Sequence, residues 1–188
     1  METKRIGVYV GSLRKGSFSK KTAKVLAQLA PSSLELEIVD LSGLEMFNQD
    51  FDDEGSTPSS WTEFRERTLH FDAFLFVTPE YNRSVPAVLK NAIDIGSRPY
   101  GKSVWNGKPA AVVSVSPGAL GGFGANHHLR QTLMFLNIAA MAQPEAYIGN
   151  ASTLFDEKGD LIHAQTRDFL QKFMNSFEDW VQSHSRTR

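Results

Sequence analysis

The chain contains no cysteine. That single absence excludes disulfides, thiolate catalysis and cysteine-ligated zinc together. Excess charge is also missing: 20 Lys and Arg against 21 Asp and Glu leave a formal net charge of −1 over 188 residues. Both signs are scattered, so neither nucleic acid nor an anionic membrane is expected as a partner. No apolar run approaches a membrane-spanning length, and the opening Met1-Glu2-Thr3-Lys4-Arg5 lacks the apolar stretch of a secretion signal. With the missing cysteines, this points to the cytoplasm. The five histidines show no metal-ligand spacing. His127 and His128 are neighbours on an expected helix, where adjacent side chains point apart, so no metal site is expected. There are no repeats, low-complexity tracts or linkers, and residues 1–188 suffice for one domain with a sizeable core.

What is present is a regular alternation of strands and helices. Ile6-Gly7-Val8-Tyr9-Val10 is short, apolar and β-branched, as a buried parallel strand should be. Apolar positions Ala23, Leu26, Ala27 and Ala30 recur at helical spacing, predicting a helix over Ser19–Leu29. Leu34–Leu41 alternates apolar and acidic residues, the pattern of a half-buried strand near a sheet edge. Ser42–Ser59 reads as a polar loop, and Ser60-x-x-Glu63 as a capping box for a helix running to about His70. Ala73–Thr78 is a central strand, Pro86–Ile95 a helix with Pro86 in its first turn, and Ala110–Ser116 a fourth strand. Asn126–Asn137 is a helix, Ala146–Ile148 a short fifth strand and Ala164–Ser183 a terminal helix, after which Ser185–Arg188 are expected to fray. Such βα units predict an α/β fold: a flavodoxin-like, doubly wound, five-stranded parallel sheet in the order 2-1-3-4-5, with helices on both faces. Its ligand crevice lies at the carboxyl ends of strands one and three, where the strand order reverses.

Three unusual loops follow strands one, three and four. The first, Gly11-Ser12-Leu13-Arg14-Lys15-Gly16-Ser17-Phe18-Ser19, offers two glycines for a tight bend and three hydroxyls, and it leads into a helix amino terminus. That is a place for an anion. It lacks the Gly-x-Gly-x-x-Gly of a dinucleotide fold and the Gly-Lys-Ser/Thr of a triphosphate loop. With no cysteine nucleophile, it holds a phosphate without reacting with it. The second loop, Thr78-Pro79-Glu80-Tyr81-Asn82-Arg83-Ser84-Val85-Pro86, is stiffened by proline at both ends and can edge a planar heteroaromatic ring. The third, Ser116-Pro117-Gly118-Ala119-Leu120-Gly121-Gly122-Phe123-Gly124-Ala125, has four glycines within seven residues, permitting close backbone approach to a flat ligand. A phosphate at one end and a ring between two loops describe a mononucleotide such as FMN.

These residues carry a family resemblance. Gly11-Ser12-Leu13-Arg14-x-x-Ser17, followed by Pro79-Glu80-Tyr81-Asn82-x-Ser84-Val85-Pro86-x-x-Leu89-Lys90-Asn91-Ala92-Ile93-Asp94, resembles the NADPH-dependent FMN reductase family. Gly121-Gly122 and His128-Leu129-Arg130-Gln131 are similar to its bacterial chromate and quinone reductases and related azoreductases. The resemblance spans about Arg5 to Ile148. It implies an FMN phosphate held at Gly11, Ser12, Arg14, Ser17, Phe18 and Ser19. Pro79, Glu80, Tyr81 and Asn82 would border the isoalloxazine ring, with Ser116 and Gly118 on its other side and Arg83, Gly121 and Gly122 near the substrate. Ser19 stands where many members carry asparagine, and Arg83 where tyrosine is common.

The function implied is NAD(P)H-dependent, with NADPH or NADH as donor and quinones, chromate, azo dyes or free flavin as small electron acceptors, by ping-pong transfer through bound FMN. The flavin carries the chemistry, so no catalytic side chain is required. Arg14, Arg83, Arg98 and Lys102 are the cations available to a 2′-phosphate. The family is typically dimeric, with some members tetrameric. Trp105, Tyr100 and Arg98 in one loop, and Phe47, Phe51 and Trp61 around another, are candidate interface residues; Arg130 and Glu145 are candidates for a second interface. The competing reading is a flavodoxin-type electron carrier or a flavin-binding protein without NADPH-linked turnover. Such carriers are usually strongly acidic, which a net charge of −1 does not match.

Overall fold

The computed structural model describes residues 2–185. Three strands are apolar enough to be buried on both faces and form the middle of the sheet: β1 (Lys4–Val10), β3 (Ala73–Thr78) and β4 (Pro109–Val115). β2 (Leu34–Val39) keeps its acidic alternation because it is an edge strand, paired on one side only. Among the described residues the strands pair only in parallel, and with β5 (Ala139–Ala140) beyond β4 the order is β2-β1-β3-β4-β5, the flavodoxin-like arrangement expected. The outer edge differs in one respect. The strand expected at Ala146–Ile148 forms with those bounds as β6, beside the end of β4, and an additional strand, the two-residue β5, pairs with the beginning of β4 on the same edge.

Because successive side chains of a strand face opposite ways, the central strands feed two cores. Ile6, Val8, Val10, Leu75, Val77 and Val113 face α1 (Phe18–Gln28) and the terminal helix α6 (Ala164–Ser185). On α6 the buried positions Leu170, Phe173, Met174, Phe177 and Val181 repeat at helical spacing. The fraying expected from Ser185 onward falls outside the described residues except at Ser185, whose backbone still belongs to α6. Tyr9, Phe74, Phe76 and Val112 point the other way, toward α3 (Ser59–Leu69), α4 (Ala87–Gly96) and α5 (Phe123–Phe135). No helix among the described residues is long and apolar enough to cross a membrane.

Several boundaries move for identifiable reasons. The capping box does not form: Pro58 caps α3 without a side-chain bond, and the Ser60 hydroxyl donates to the Glu45 carboxylate instead. Pro86 is the cap of α4 rather than part of its first turn. α5 begins three residues earlier than Asn126, since Gly122 supplies the left-handed cap (φ 78°) and Gly124 lies inside the helix. The aromatic residues assigned to an interface are mostly core: Trp61 and Trp105 are fully buried, and Phe47 and Phe51 pack on Trp61. Tyr100 alone of that set projects, at 93% exposed.

The long loop before α3 is also more ordered than its polarity suggests. It contains the short helix α2 (Asp50–Asp53), which Arg65 of α3 ties down by a two-pronged ion pair to Asp52 at 2.8 and 2.7 Å. Arg65 also donates to the Ile95 carbonyl and lies over the Trp61 ring. Hydrogen bonds from Arg65 hold the Asp52 carboxyl below the usual range, against a smaller opposing effect of burial and with help from Thr57. A carboxyl depressed in the folded state stabilises it fully above the unfolded value of about 3.9, and that contribution is lost as pH falls through the folded value. Asp52→Asn is therefore expected to lower the unfolding free energy by about 2 kcal/mol at neutral pH. The gap from the parent should close as urea unfolding is repeated toward about pH 3; a gap that persists unchanged in acid would contradict the assignment.

Candidate functional site

The three unusual loops meet at the carboxyl ends of β1, β3 and β4. In the first, the Gly11 amide prolongs the sheet ladder by donating to the Val77 carbonyl at 2.9 Å. A Cβ there would lie 3.1 Å from both Pro79 Cδ and Thr78 Oγ1, so glycine lets the first two loops touch. Gly16 has no such role, since a Cβ on it would meet nothing within 4 Å. Ser17 caps α1, its hydroxyl accepting from the Lys20 amide at 3.2 Å. The Ser12 hydroxyl accepts from the Arg14 amide at 3.4 Å, and Lys20 Nζ braces the loop through the Leu13 carbonyl. Phe18 opens α1 while its ring stacks on Phe155, a packing role that the sequence reading did not anticipate. The Arg14 side chain is exposed and has no partner among the described residues.

One helical position on, Ser19 is 1% exposed and its Oγ is an orphan: no group among the described residues hydrogen-bonds it. Thr22 Oγ1, one turn further, is likewise buried and unpartnered. Among the described residues the amides of Phe18 and Ser19 also lack partners. A buried hydroxyl without a hydrogen bond costs roughly 1–3 kcal/mol. Two free amides, an unpaired hydroxyl and the positive end of a helix dipole form a donor set suited to a phosphate.

The second loop is a tight turn. Tyr81 and Ser84 exchange backbone hydrogen bonds at 3.1 and 2.9 Å, and Asn82 and Arg83 between them adopt left-handed φ values of 50° and 67°. Arginine pays roughly 1 kcal/mol or more for that region, so the turn is imposed by its surroundings. Pro79 and Glu80 are half-buried, while Tyr81, Asn82 and Arg83 are exposed. The Glu80 carboxylate accepts from the Ala125 amide of α5 at 3.0 Å, and Ser84 Oγ pairs with His128 Nδ1 at 2.9 Å.

In the third loop, Ser116 donates its amide to the Ile148 carbonyl, and its hydroxyl accepts from the Gly118 amide at 3.1 Å. Gly118, Ala119 and Leu120 form an exposed rim. Gly121 and Gly122 are buried and used for packing: a Cβ on Gly121 would sit 2.6 Å from the Tyr147 backbone, and one on Gly122 3.1 Å from Ser114 Cβ. Their burial leaves them little surface of their own. Arg130 is similarly occupied, bonding Asn126 and the Met141 carbonyl at 2.8 Å each. His127 pairs with the Tyr147 hydroxyl at 2.9 Å. A cavity of about 640 Å³ lies between α4 and α5 and touches the second loop at Ser84 and Val85. The exposed residues 81–83 of the second loop and 118–120 of the third form the rims of the shelf where the loops meet.

A helix start with unpaired donors and two exposed loops at the switch point of a doubly wound sheet place the chain among flavodoxin-like α/β proteins, a fold whose ligands bind at that point. Comparison with known proteins narrows this. The NADPH-dependent FMN reductase family matches residues 4–153, and the chain belongs to that family. A quinone reductase of Pseudomonas putida is 58% identical over 176 residues, covering 94% of each chain. A 2-hydroxy-1,4-benzoquinone reductase of a Burkholderia species is 45% identical over 177 residues, covering 94% of this chain and 96% of its own. Among solved structures, a flavoenzyme NAD(P)H:(acceptor) oxidoreductase from Paracoccus denitrificans superposes with a TM-score of 0.90 at 41% identity, covering 97% of this chain and 99% of its own. The chain is thus an NAD(P)H-dependent oxidoreductase with FMN as its cofactor. The orphaned donors of α1 and the exposed loop edges fit that group.

Proposed function

We propose that the protein is an FMN-dependent NAD(P)H oxidoreductase that reduces quinones to hydroquinones. The buried, unpartnered Ser19 hydroxyl at the amino end of α1 is the observation that carries this reading, because it needs a ligand oxygen to satisfy it. FMN, when bound, accepts a hydride from NAD(P)H and delivers electrons to the acceptor. The remaining work falls to the chain. Ser12, Ser17, Ser19 and the free amides of Phe18 and Ser19 hold the phosphate, and Gly11 lets the ring end lie against the second loop. Arg14, exposed and without a partner among the described residues, would supply a cation to the phosphate. Pro79, Glu80, Tyr81 and Asn82 would border one edge of the ring, Glu80 with its carboxylate engaged by the Ala125 amide. Ser116 and Gly118 border the other. Arg83 attracts the anionic donor at the rim, with Arg98 and Lys102 as further cations for a 2′-phosphate.

Ping-pong kinetics follow from a single open shelf that donor and acceptor must share in turn. Chromate, azo dyes and free flavin are opportunistic acceptors, since a shallow shelf selects weakly among them. The protein acts in the cytoplasm as one domain per chain, assembled as a homodimer or homotetramer. FMN-saturated, desalted protein should retain yellow flavin, bleach on stoichiometric NADPH without oxygen, and recover colour on adding a 1,4-benzoquinone. Retained flavin that stays oxidised with both NADPH and NADH would make the protein an electron carrier.

A further inference from the structure

We infer that Glu80 is a positioning residue, whose carboxylate, held by the amino end of α5, fixes the turn that presents Asn82 and Arg83 at the cofactor's edge. This rests on the FMN reading above and deepens it. Glu80 Oε2 accepts from the Ala125 amide at 3.0 Å, and a carboxylate in the first turn of a helix is favoured by the helix dipole. One turn along α5, His128 pairs with Ser84 at 2.9 Å. Between these two ties the turn lies directly on the helix: a Cβ on Gly124 would sit 2.8 Å from the Arg83 carbonyl oxygen and 2.9 Å from Glu80 Oε2. The segment is therefore fastened to α5 at both ends and pressed against it in the middle.

That fastening accounts for the backbone. Asn82 and Arg83 occupy the left-handed region in succession, a conformation that persists only where the surroundings over-determine it. The Arg83 side chain makes no hydrogen bond or ion pair among the described residues, so its place at the rim is set by the turn alone. Glu80 thus acts on donor binding through the backbone that carries Arg83, while its own carboxylate is engaged by α5.

The test combines Glu80→Ala, Glu80→Gln and Gly124→Ala, made in the full chain. Hydrogen exchange of the FMN-free protein reads the tie directly. In Glu80→Ala the amides of Tyr81, Ser84 and Ala125 should exchange about tenfold faster, the loss of one charge-assisted hydrogen bond, while sheet amides such as Val77 and Val113 stay protected. In the FMN-loaded protein the same variant should raise KM for NADPH about fivefold with kcat within twofold, and Glu80→Gln, which keeps an acceptor oxygen, should restore both readouts to near the parent. Gly124→Ala should reproduce the effect from the other side and combine with Glu80→Ala less than additively. Unchanged exchange at Ala125, failure of glutamine to rescue, or faster exchange with an unaltered KM would each overturn the assignment. Failure of the parent chain to bind FMN would instead defeat the cofactor reading, and exchange would still decide the tie.

Discussion

Gly11→Val is expected to weaken FMN binding by about 100-fold, the largest effect of any single substitution around the shelf. The position is where the phosphate loop and the ring-edging loop meet. Its amide is committed to the Val77 carbonyl, so the backbone cannot swing away without losing the last rung between β1 and β3. Even a lone Cβ would stand 3.1 Å from Pro79 Cδ, 3.1 Å from Thr78 Oγ1 and 3.3 Å from Leu89 Cδ2. Valine adds two methyl groups in the same crevice. Leu89 is a fully buried residue of α4, and Thr78 is fully buried at the end of β3, so neither can retreat. Overpacking of this kind costs about 1–3 kcal/mol. The relief available is to push Pro79 outward, widening the distance between the phosphate donors of α1 and the edge of the second loop. A rigid ligand that must touch both loses one of them, and 2.8 kcal/mol of lost contact is about 100-fold in affinity. Fluorescence titration of FMN into the variant measures this directly, and thermal unfolding of the FMN-free form should show a loss of about 2 kcal/mol from the same crowding. Affinity within threefold of the parent would mean that the two loops do not have to meet for the cofactor to bind.

The features that proved legible in the sequence are those whose physics is local or strongly periodic. Ala73–Thr78 has six consecutive residues that are buried on both faces, ends at Pro79, and admits no other element. The phosphate loop announces itself because strand, loop and helix follow one another without interruption from Lys4 to Gln28, and topology then places the other two loops beside it. β5 was not legible because two alanines carry no period, and its partners Pro109 and Ala110 are supplied by tertiary pairing alone. α2 has only four residues and depends on Arg65, thirteen positions away from Asp52. The start of α5 was hidden because Gly124 reads as loop. Its glycine serves contact with the Arg83 carbonyl, which no pattern within α5 could reveal. Glu80 is the same lesson at the site itself. Its place in the Pro-Glu-Tyr-Asn segment suggests a ring contact, while its carboxylate turns to a helix forty-five residues downstream. Ser19 was read from its position in the loop, and what the structure adds is that its hydroxyl is both buried and unpaired.

The aromatic residues of the loops were the least legible, and one of them sets the second large expectation: Trp105→Ala should cost about 4 kcal/mol of stability. Trp105 lies in the connection between α4 and β4, surrounded in sequence by Ser103, Asn106 and Gly107, which is why it reads as a surface aromatic. In the fold it is fully buried and its ring meets Phe74 at 4.9 Å and Tyr9 at 5.1 Å in edge-to-face geometry, with Phe64 and Phe76 about it. Its Nε1 donates to the Ile93 carbonyl at 2.9 Å, and the absence of a side chain at Gly96 leaves room for the indole, since a Cβ there would fall 2.6 Å from it. Truncation to alanine opens a cavity against β1 and β3 and strips one hydrogen bond from α4, and the fully buried aromatic neighbours are too constrained to fill it. At this chain length about 4 kcal/mol corresponds to a fall in Tm of roughly 8–16 °C. Trp105→Phe should lose about half as much, because it keeps most of the volume but gives up the indole hydrogen bond to the Ile93 carbonyl, which retains the Ser97 amide at 3.1 Å. Urea unfolding of the two variants separates packing from hydrogen bonding. Saturating FMN should recover part of the loss in both, since ligand binding stabilises only the folded chain. If Trp105→Ala cost less than about 1.5 kcal/mol, the indole would be filling space between the sheet and α4 rather than holding Tyr9 of β1 and Phe74 of β3 in place.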